Sequence, residues 1–189
     1  LITGATAGIG EAMAWSFAEN NCKLILVGRR EKRLQKLKYE LETAHPGCRV
    51  MYHALDVGDG DAVAALPSLL PDEFKRVDIL INNAGLALGA DPAQSTDMQM
   101  VETMIRTNVL GLIAMSSAFL PGMKERQKGH LINIGSIAGH VAYPGGSGYN
   151  ASKFAVNGYT AAARHDLVGT PIRVTQISPG FVNTEFSMV

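Results

Sequence analysis

"LITGATAGIGEAMA", residues 1–14, sets three glycines between an apolar end and a helix-like run. Leu1, Ile2 and Thr3 read as the last part of a strand, and the residues from Glu11 onward as a helix. Gly4 then permits a tight turn. Gly8 lets backbone approach a pyrophosphate, and Gly10 lets the helix pack close to the sheet. The helix N-terminus supplies N–H groups and the positive end of its dipole to phosphates. One such turn alone is a weak signal. Its strand-to-helix setting is what separates it from an ordinary glycine-rich turn. No Gly-Lys-Ser/Thr follows, so phosphates are held here rather than transferred.

The rest of the chain repeats that alternation. Apolar runs occur at residues 1–2, 24–27, 50–55, 77–81, 131–134 and 172–177. Helical patterns fill residues 11–19, 32–43, 61–70, 97–124 and 149–168. Continuous apolar strands separated by helices predict a parallel sheet covered on both faces. Right-handed crossovers make this a doubly wound α/β fold of Rossmann type, in which ligands bind at the carboxyl ends of the strands.

The 189 residues suffice for one domain with a filled core. Hydrophobic content is 47%, and Lys+Arg equals Asp+Glu at 17 each. That balance gives no global pull toward nucleic acid or an acidic membrane surface. Cys22 and Cys48 have neither metal-ligand spacing nor a disulfide pattern, which fits a reducing cytoplasm. No apolar run reaches the ~20 residues of a membrane span, and the first residues lack the basic leader of a signal peptide. A start inside a strand and a stop just after a loop signal predict a single domain, 1–189, truncated at both ends.

The ends of the strands carry the chemistry. After the second strand the chain reads "LILVGRRE". Gly28 stands where a carboxylate would bind adenine ribose hydroxyls and repel a phosphate, and Arg29 and Arg30 follow. They are either two solvated arginines or, because guanidinium matches phosphate geometry, readers of the NADP 2′-phosphate. Cations at a helix start oppose its dipole, which favours the second reading. Asp56 in "ALDV" is either an acceptor for the adenine amino group or a helix N-cap. In Asn82-Asn83-Ala84-Gly85, small residues and amides let backbone and cofactor pass closely, while one asparagine of the pair ties neighbouring strands.

Tyr149 and Lys153, in "SGYNASKFAV", are four residues apart and share a helix face. Tyr39, Tyr52, Tyr143 and Tyr159 are followed at that distance by Thr43, Asp56, Ser147 and Ala163, so only Tyr149 has a lysine there. A phenol titrates near pH ~10. A nearby ammonium lowers that value and brings the group toward acid–base use. Taken alone the pair reads as a chance surface pair. Ser136, in "LINIGSIAG", changes that, because it lies at the carboxyl end of the fifth strand. Asn108, inside the apolar helix "MIRTNVLGLIAM", is either a satisfied core amide or a residue that bends the helix and holds a water near Lys153.

These motifs together resemble the short-chain dehydrogenase/reductase family over essentially the whole chain. "TGATAGIG", "NNAG", Asn108, Ser136, "YNASK" and "SPG" occur in the family's order and spacing. "VGRRE", "NNAGLALG", "LPGM", "INIGSIAG" and "TEFS" are similar to its NADP-dependent branch acting on 3-hydroxy acids, which includes serine and L-allo-threonine dehydrogenases. The resemblance implies that Tyr149 exchanges a proton with the substrate oxygen. It implies that Lys153 lowers the Tyr149 pKa and holds the nicotinamide ribose hydroxyls. Ser136 orients the carbonyl, and Asn108 positions a water for a proton relay. It extends NADP binding beyond Gly4, Gly8, Gly10, Arg29, Arg30, Asp56, Tyr149 and Lys153. The added residues are Thr6, Ile9, Val57, Asn83, Ala84, Gly85, Pro179, Gly180, Val182 and Thr184. Substrate contacts fall to Ser136 and Tyr149, and no metal is called for.

Other readings share these residues. A 3-oxoacyl-carrier-protein reductase or a broad carbonyl reductase would differ only in the pocket, one wall of which is "AGHVAYPGGSG". There His140 and Tyr143 either touch substrate or shape the loop. An NADP-sensing binding protein would not need the tyrosine, lysine and serine together. The helices around "VLGLIAMSSAFL" and "ASKFAVNGYTAAA" are apolar over more than one face, which predicts a homo-oligomer, a tetramer as is common in the family.

Overall fold

Six apolar runs pair edge to edge as β1 (Ile2–Thr3), β2 (Lys23–Gly28), β3 (Arg49–Ala54), β4 (Ile79–Asn82), β5 (Gly129–Ile134) and β6 (Ile172–Ile177). They form one parallel sheet in the order β3-β2-β1-β4-β5-β6. The structure, a computed structural model, describes residues 1–185. The expected doubly wound Rossmann fold is the observed one.

Alternation along each strand feeds two cores, because successive side chains point to opposite faces. Ile25, Val27, Leu80 and Leu131 face one core, and Leu24, Leu26 and Ile81 face the other. On the second face lie α1 (Gly8–Glu19) and α2 (Glu31–Ala44), through Ala14, Ala18, Leu34, Leu37 and Leu41. On the first lie α3 (Gly60–Leu69) and α5 (Leu112–Glu125), through Val63, Leu66, Met115, Phe119 and Met123. The two remaining helices, α4 (Met98–Ile105) and α6 (Ser147–Asp166), pack on each other, and α6 also lies along β6. Coverage of both faces is incomplete at the sheet edge, where Arg173 and Ile177 of β6 are exposed.

The long helical run expected over residues 97–124 is broken in the middle. Between α4 and α5, Arg106–Gly111 forms a π-helical turn. Such turns interrupt the regular ladder and occur often at functional positions. The expectation that no run is long enough to span a bilayer needs correction as well. Met98–Glu125 extends over 28 residues with a mean hydropathy of 1.3 in its most apolar window. Part of its apolar character goes into the core through Met104, Leu112, Met115, Phe119 and Met123, while Met98 and Leu110 stay exposed.

The strand order reverses between β1 and β4, and Ile2 pairs with both Leu26 and Ile81. In folds of this type the ligand crevice lies at that switch point, beyond the carboxyl ends of the strands. The loops after β1, β2, β4, β5 and β6 meet there.

Candidate active site

The turn after β1 is built for close backbone approach. Gly4 has φ +64°, in the left-handed region, and a Cβ there would lie 2.8 Å from the Ala84 Cα. A Cβ on Gly10 would collide with the Gly4 carbonyl oxygen and lie 2.6 Å from Asn83 Nδ2. Helix α1 is thus held directly against the turn that precedes it. Ala7, its N-cap, offers no side-chain acceptor to the first-turn N–H groups, which include that of Ile9. Those donors, with the helix dipole, suit a phosphate. The close backbone approach that Gly4 and Gly10 allow is of the kind a dinucleotide's pyrophosphate requires.

Thr6 and Arg30 join the turn to the end of β2. Arg30 donates to Thr6 Oγ1 from Nε at 3.1 Å and from Nη2 at 2.7 Å. A Cβ on Gly28 would sit 3.0 Å from the Thr6 methyl, so the residue in the acid's expected place is also one that lets Thr6 approach. Arg29 Nη1 lies 4.0 Å from Asp56 Oδ2. Asp56 is not the cap of α3: its Oδ1 accepts from Gly58 N at 2.9 Å, and Asp59 does the capping through Ala62 N. The Val57 side chain is buried and packs on Gly111 of the π-turn.

Both asparagines at the end of β4 tie the sheet together. Asn83 Nδ2 donates to the Thr3 and Gly4 carbonyls at 2.9 and 3.2 Å. The Thr3 hydroxyl accepts from Asn83 N and Ala84 N. Asn82 Nδ2 donates to Ser116 Oγ and Asn133 Oδ1, and Asn133 Nδ2 donates onward to Thr160 Oγ1 at 2.9 Å. This buried chain fixes β4, β5, α5 and α6 beneath the crevice.

Ser136, Tyr149 and Lys153 converge above it. Ser136 follows β5, is nearly buried, and its Oγ accepts from Ala138 N at 3.1 Å. It therefore caps a short turn, and it is also hydrogen-bonded to the Tyr149 phenol. Lys153 is 5% exposed, donates to the Ile134 carbonyl at 3.1 Å, and lies 5.7 Å from the centroid of the Tyr149 ring. Gly85 closes the far side: a Cβ there would meet Asn108 Oδ1 at 3.2 Å and Lys153 Nζ at 3.6 Å.

The electrostatics differ from the expectation that Lys153 lowers the Tyr149 pKa. Burial pushes the phenol up, the Ser136 hydrogen bond pulls it part of the way back, and Tyr143 adds a smaller upward push. Lys153 is itself pushed down to about 8 by burial. Desolvation is the largest cause for each group and disfavours both charged forms. The phenol is thus protonated at neutral pH, and the amine is poised close to it.

Asn108 is the satisfied amide of the two readings. Its Oδ1 accepts from Leu86 N, and its Nδ2 donates to the Leu86 carbonyl and to Ser152 Oγ at 3.0 Å. The helix is also locally irregular, through the π-turn. His140 and Tyr143 are engaged in the loop: His140 Nε2 meets Ser178 Oγ at 3.0 Å, and the Tyr143 ring packs on Gly146.

The stretch after β6 returns over the crevice. The Pro179 carbonyl accepts from Ile137 N, a Cβ on Gly180 would lie 3.8 Å from Ile137 Cδ1, Val182 is exposed, and Thr184 stands against Gly8. Of "TEFS", Phe186 and Ser187 lie outside the described residues. Sequence reasoning missed Ser152, Arg33 and Glu185. Arg33 Nη1 and Arg30 Nη1 both hold the Glu185 carboxylate. Only the arginines' place at a helix start hinted that a counter-charge was due. A cleft beside Tyr149 is lined by Leu88, Asp91, Thr96, Met100, Val101 and Ser147, and no cation lines it among the described residues.

A family model described as short chain dehydrogenase matches residues 1–189. The NADP-dependent 3-hydroxy acid dehydrogenase YdfG of Salmonella typhi is 50% identical over 190 aligned positions, covering 100% of this chain and 75% of that protein. Sulfoacetaldehyde reductase 2 of Chromohalobacter salexigens is 47% identical, covering 100% and 74%. The closed form of serine dehydrogenase complexed with NADP+ superposes with a TM-score of 0.92 at 47% identity, covering 98% of this chain and 73% of that one. With its glycine turn, its serine–tyrosine–lysine cluster and this likeness over its full length, the chain belongs to the short-chain dehydrogenase family.

Proposed function

We propose that residues 1–189 form one catalytic domain that moves a hydride between NADP and the hydroxyl- or carbonyl-bearing carbon of a small 3-hydroxy acid. The convergence of Ser136, Tyr149 and Lys153 at the carboxyl end of β5 carries this reading. The 50% identity to a 3-hydroxy acid dehydrogenase supports the substrate class, and the Arg29–Arg30 pair supports NADP over NAD. Gly4, Thr6, Gly8, Ile9 and Gly10 would hold the pyrophosphate end, and Arg29 and Arg30 the 2′-phosphate. Asp56 and Val57 would border the adenine. Asn83, Ala84, Gly85, Tyr149, Lys153, Pro179, Gly180, Val182 and Thr184 would line the path to the nicotinamide.

NADP, when bound, supplies or accepts the hydride. The chain manages the proton. Burial keeps the Tyr149 phenol protonated, so in reduction it donates to the carbonyl oxygen while the Ser136 hydroxyl orients that oxygen. Lys153, with a pKa of about 8, holds the ribose hydroxyls and hands a proton back to the phenol. Asn108 acts by position. Its N–H groups go to Leu86 and Ser152, so any relay water is left to main-chain groups of the π-turn.

The reading extends to a cytoplasmic homo-oligomer, a tetramer. Free thiols at Cys22 and Cys48 suit a reducing compartment. Leu110 and Phe154 remain 56% and 47% exposed on the two helices that the sequence marks as apolar on more than one face. The test is turnover on serine, L-allo-threonine, 3-hydroxyisobutyrate, 3-hydroxybutyrate and sulfoacetaldehyde with NADP(H) and NAD(H), alongside sedimentation. Fast turnover of a 3-hydroxy acid with NADP is expected. Turnover of none of the hydroxy acids, or equal use of NAD, would overturn the reading.

A further inference from the structure

Glu185 and Arg33 lie 152 residues apart in the chain, yet the Arg33 guanidinium reaches both Glu185 oxygens, at 2.8 and 2.7 Å. Arg30 Nη1 donates to the same carboxylate at 2.8 Å while its Nε and Nη2 stay on Thr6. An anion is thus held by three charge-assisted bonds from two guanidiniums, the arrangement arginines use for phosphate. These bonds, first the one from Arg30 and then those from Arg33, keep the Glu185 carboxyl below its ordinary pKa, so it is ionised at neutral pH. The adjoining Thr184 rests on the glycine turn, where a Cβ on Gly8 would come within 3.1 Å of its Cβ and methyl. The strand-β6 extension therefore crosses the phosphate cradle and plants a carboxylate on the cations at its far end.

We propose that Glu185 is a tethered competitor for the adenosine 2′-phosphate: it holds Arg30 and Arg33, and a nucleotide carrying that phosphate must displace it. A nucleotide without the phosphate has no quarrel with Glu185 and leaves the pair intact. Release of the Glu185 carboxylate from Arg30 and Arg33 is thereby linked to the 2′-phosphate, whereas any dinucleotide meets Thr184 at the glycine turn. Arg33 becomes a third member of the phosphate-reading set, shared between the ligand and the carboxylate. The inference rests on the NADP reading above.

The test uses the full chain and two fragments, 2′,5′-ADP and 5′-AMP, titrated calorimetrically against the parent, Glu185→Gln and Arg33→Ala. All three pairing groups are about half exposed, so the competition is modest. Glu185→Gln should bind 2′,5′-ADP roughly three- to tenfold tighter and bind 5′-AMP unchanged. Arg33→Ala should weaken 2′,5′-ADP alone. A parent that prefers 2′,5′-ADP, with a Glu185→Gln variant that binds it no better, overturns the competitor role and leaves the NADP reading standing. Equal binding of the two fragments by the parent overturns both.

Discussion

Asn108 and Leu86 exchange two hydrogen bonds: Leu86 N donates to Asn108 Oδ1 at 2.9 Å, and Asn108 Nδ2 donates to the Leu86 carbonyl at 2.8 Å. A side-chain amide here completes the main chain of the loop after β4 as a neighbouring strand would. It does so from the middle of the π-turn and from a site 1% exposed.

Asn108→Leu should therefore destabilise the chain out of proportion to its size. It keeps the volume but orphans the Leu86 N–H and carbonyl. Each unpaired buried group costs about 1–3 kcal/mol. Urea unfolding should show that loss, and Asn108→Asp, which can accept from Leu86 N but not donate to its carbonyl, should also lose stability. A neutral Asn108→Leu would mean that water replaces the amide.

Gly10→Ala tests the helix–turn contact. The added methyl runs into the Gly4 carbonyl, a backbone atom that cannot swing away. Overpacking of this kind costs about 1–3 kcal/mol, and the displaced turn should lose NADPH affinity as well. Gly60→Ala is the control, since open space surrounds it. Similar melting temperatures and fluorescence titrations for the two variants would refute the close-packing argument.

Tyr149→Phe removes one oxygen and keeps the ring against Lys153. Loss of general acid help is worth ~10²–10⁴ in rate, so reduction should collapse while NADPH still titrates normally. Ser136→Ala should lower turnover with little effect on the cofactor. Near-parental rates for Tyr149→Phe would reduce it to an ordinary packing residue.

Lys153 makes stability depend on pH in a defined window. Its amine is lowered from 10.5 to about 8 on folding. Between those values the unfolded chain binds the extra proton, so this group's contribution to stability rises from pH 8 to 10.5 and is least favourable below 8. At 1.36 kcal/mol per unit the full span is about 3 kcal/mol. Lys153→Met should thus gain most on the parent near pH 7, less the lost bond to Ile134, and the advantage should fade by pH 10. Denaturation at several pH values measures it, and a pH-independent difference would show that the amine is not buried as charged.

Local pattern alone determined the alternation of strands and helices, the glycine turn and the four-residue spacing of Tyr149 and Lys153. Each depends on neighbours within one or two turns of chain. One-handed crossovers require the strand order to reverse if both faces are to be covered, but that it reverses between β1 and β4 was decided by the folded sheet. The π-turn was legible only as one of two alternatives, a bend at Asn108 in "RTNVLG"; Val57 pressing on Gly111 and Leu86 gripping Asn108 belong to its tertiary setting. The role of Glu185 was hidden for the same reason, because its partners stand more than 150 residues away. The Tyr149 pKa was read with the wrong sign: spacing puts an ammonium near the phenol, but only the packed structure sets how much water both groups lose. Desolvation and long-range pairing are sums over the folded surroundings, and no stretch of sequence contains those surroundings.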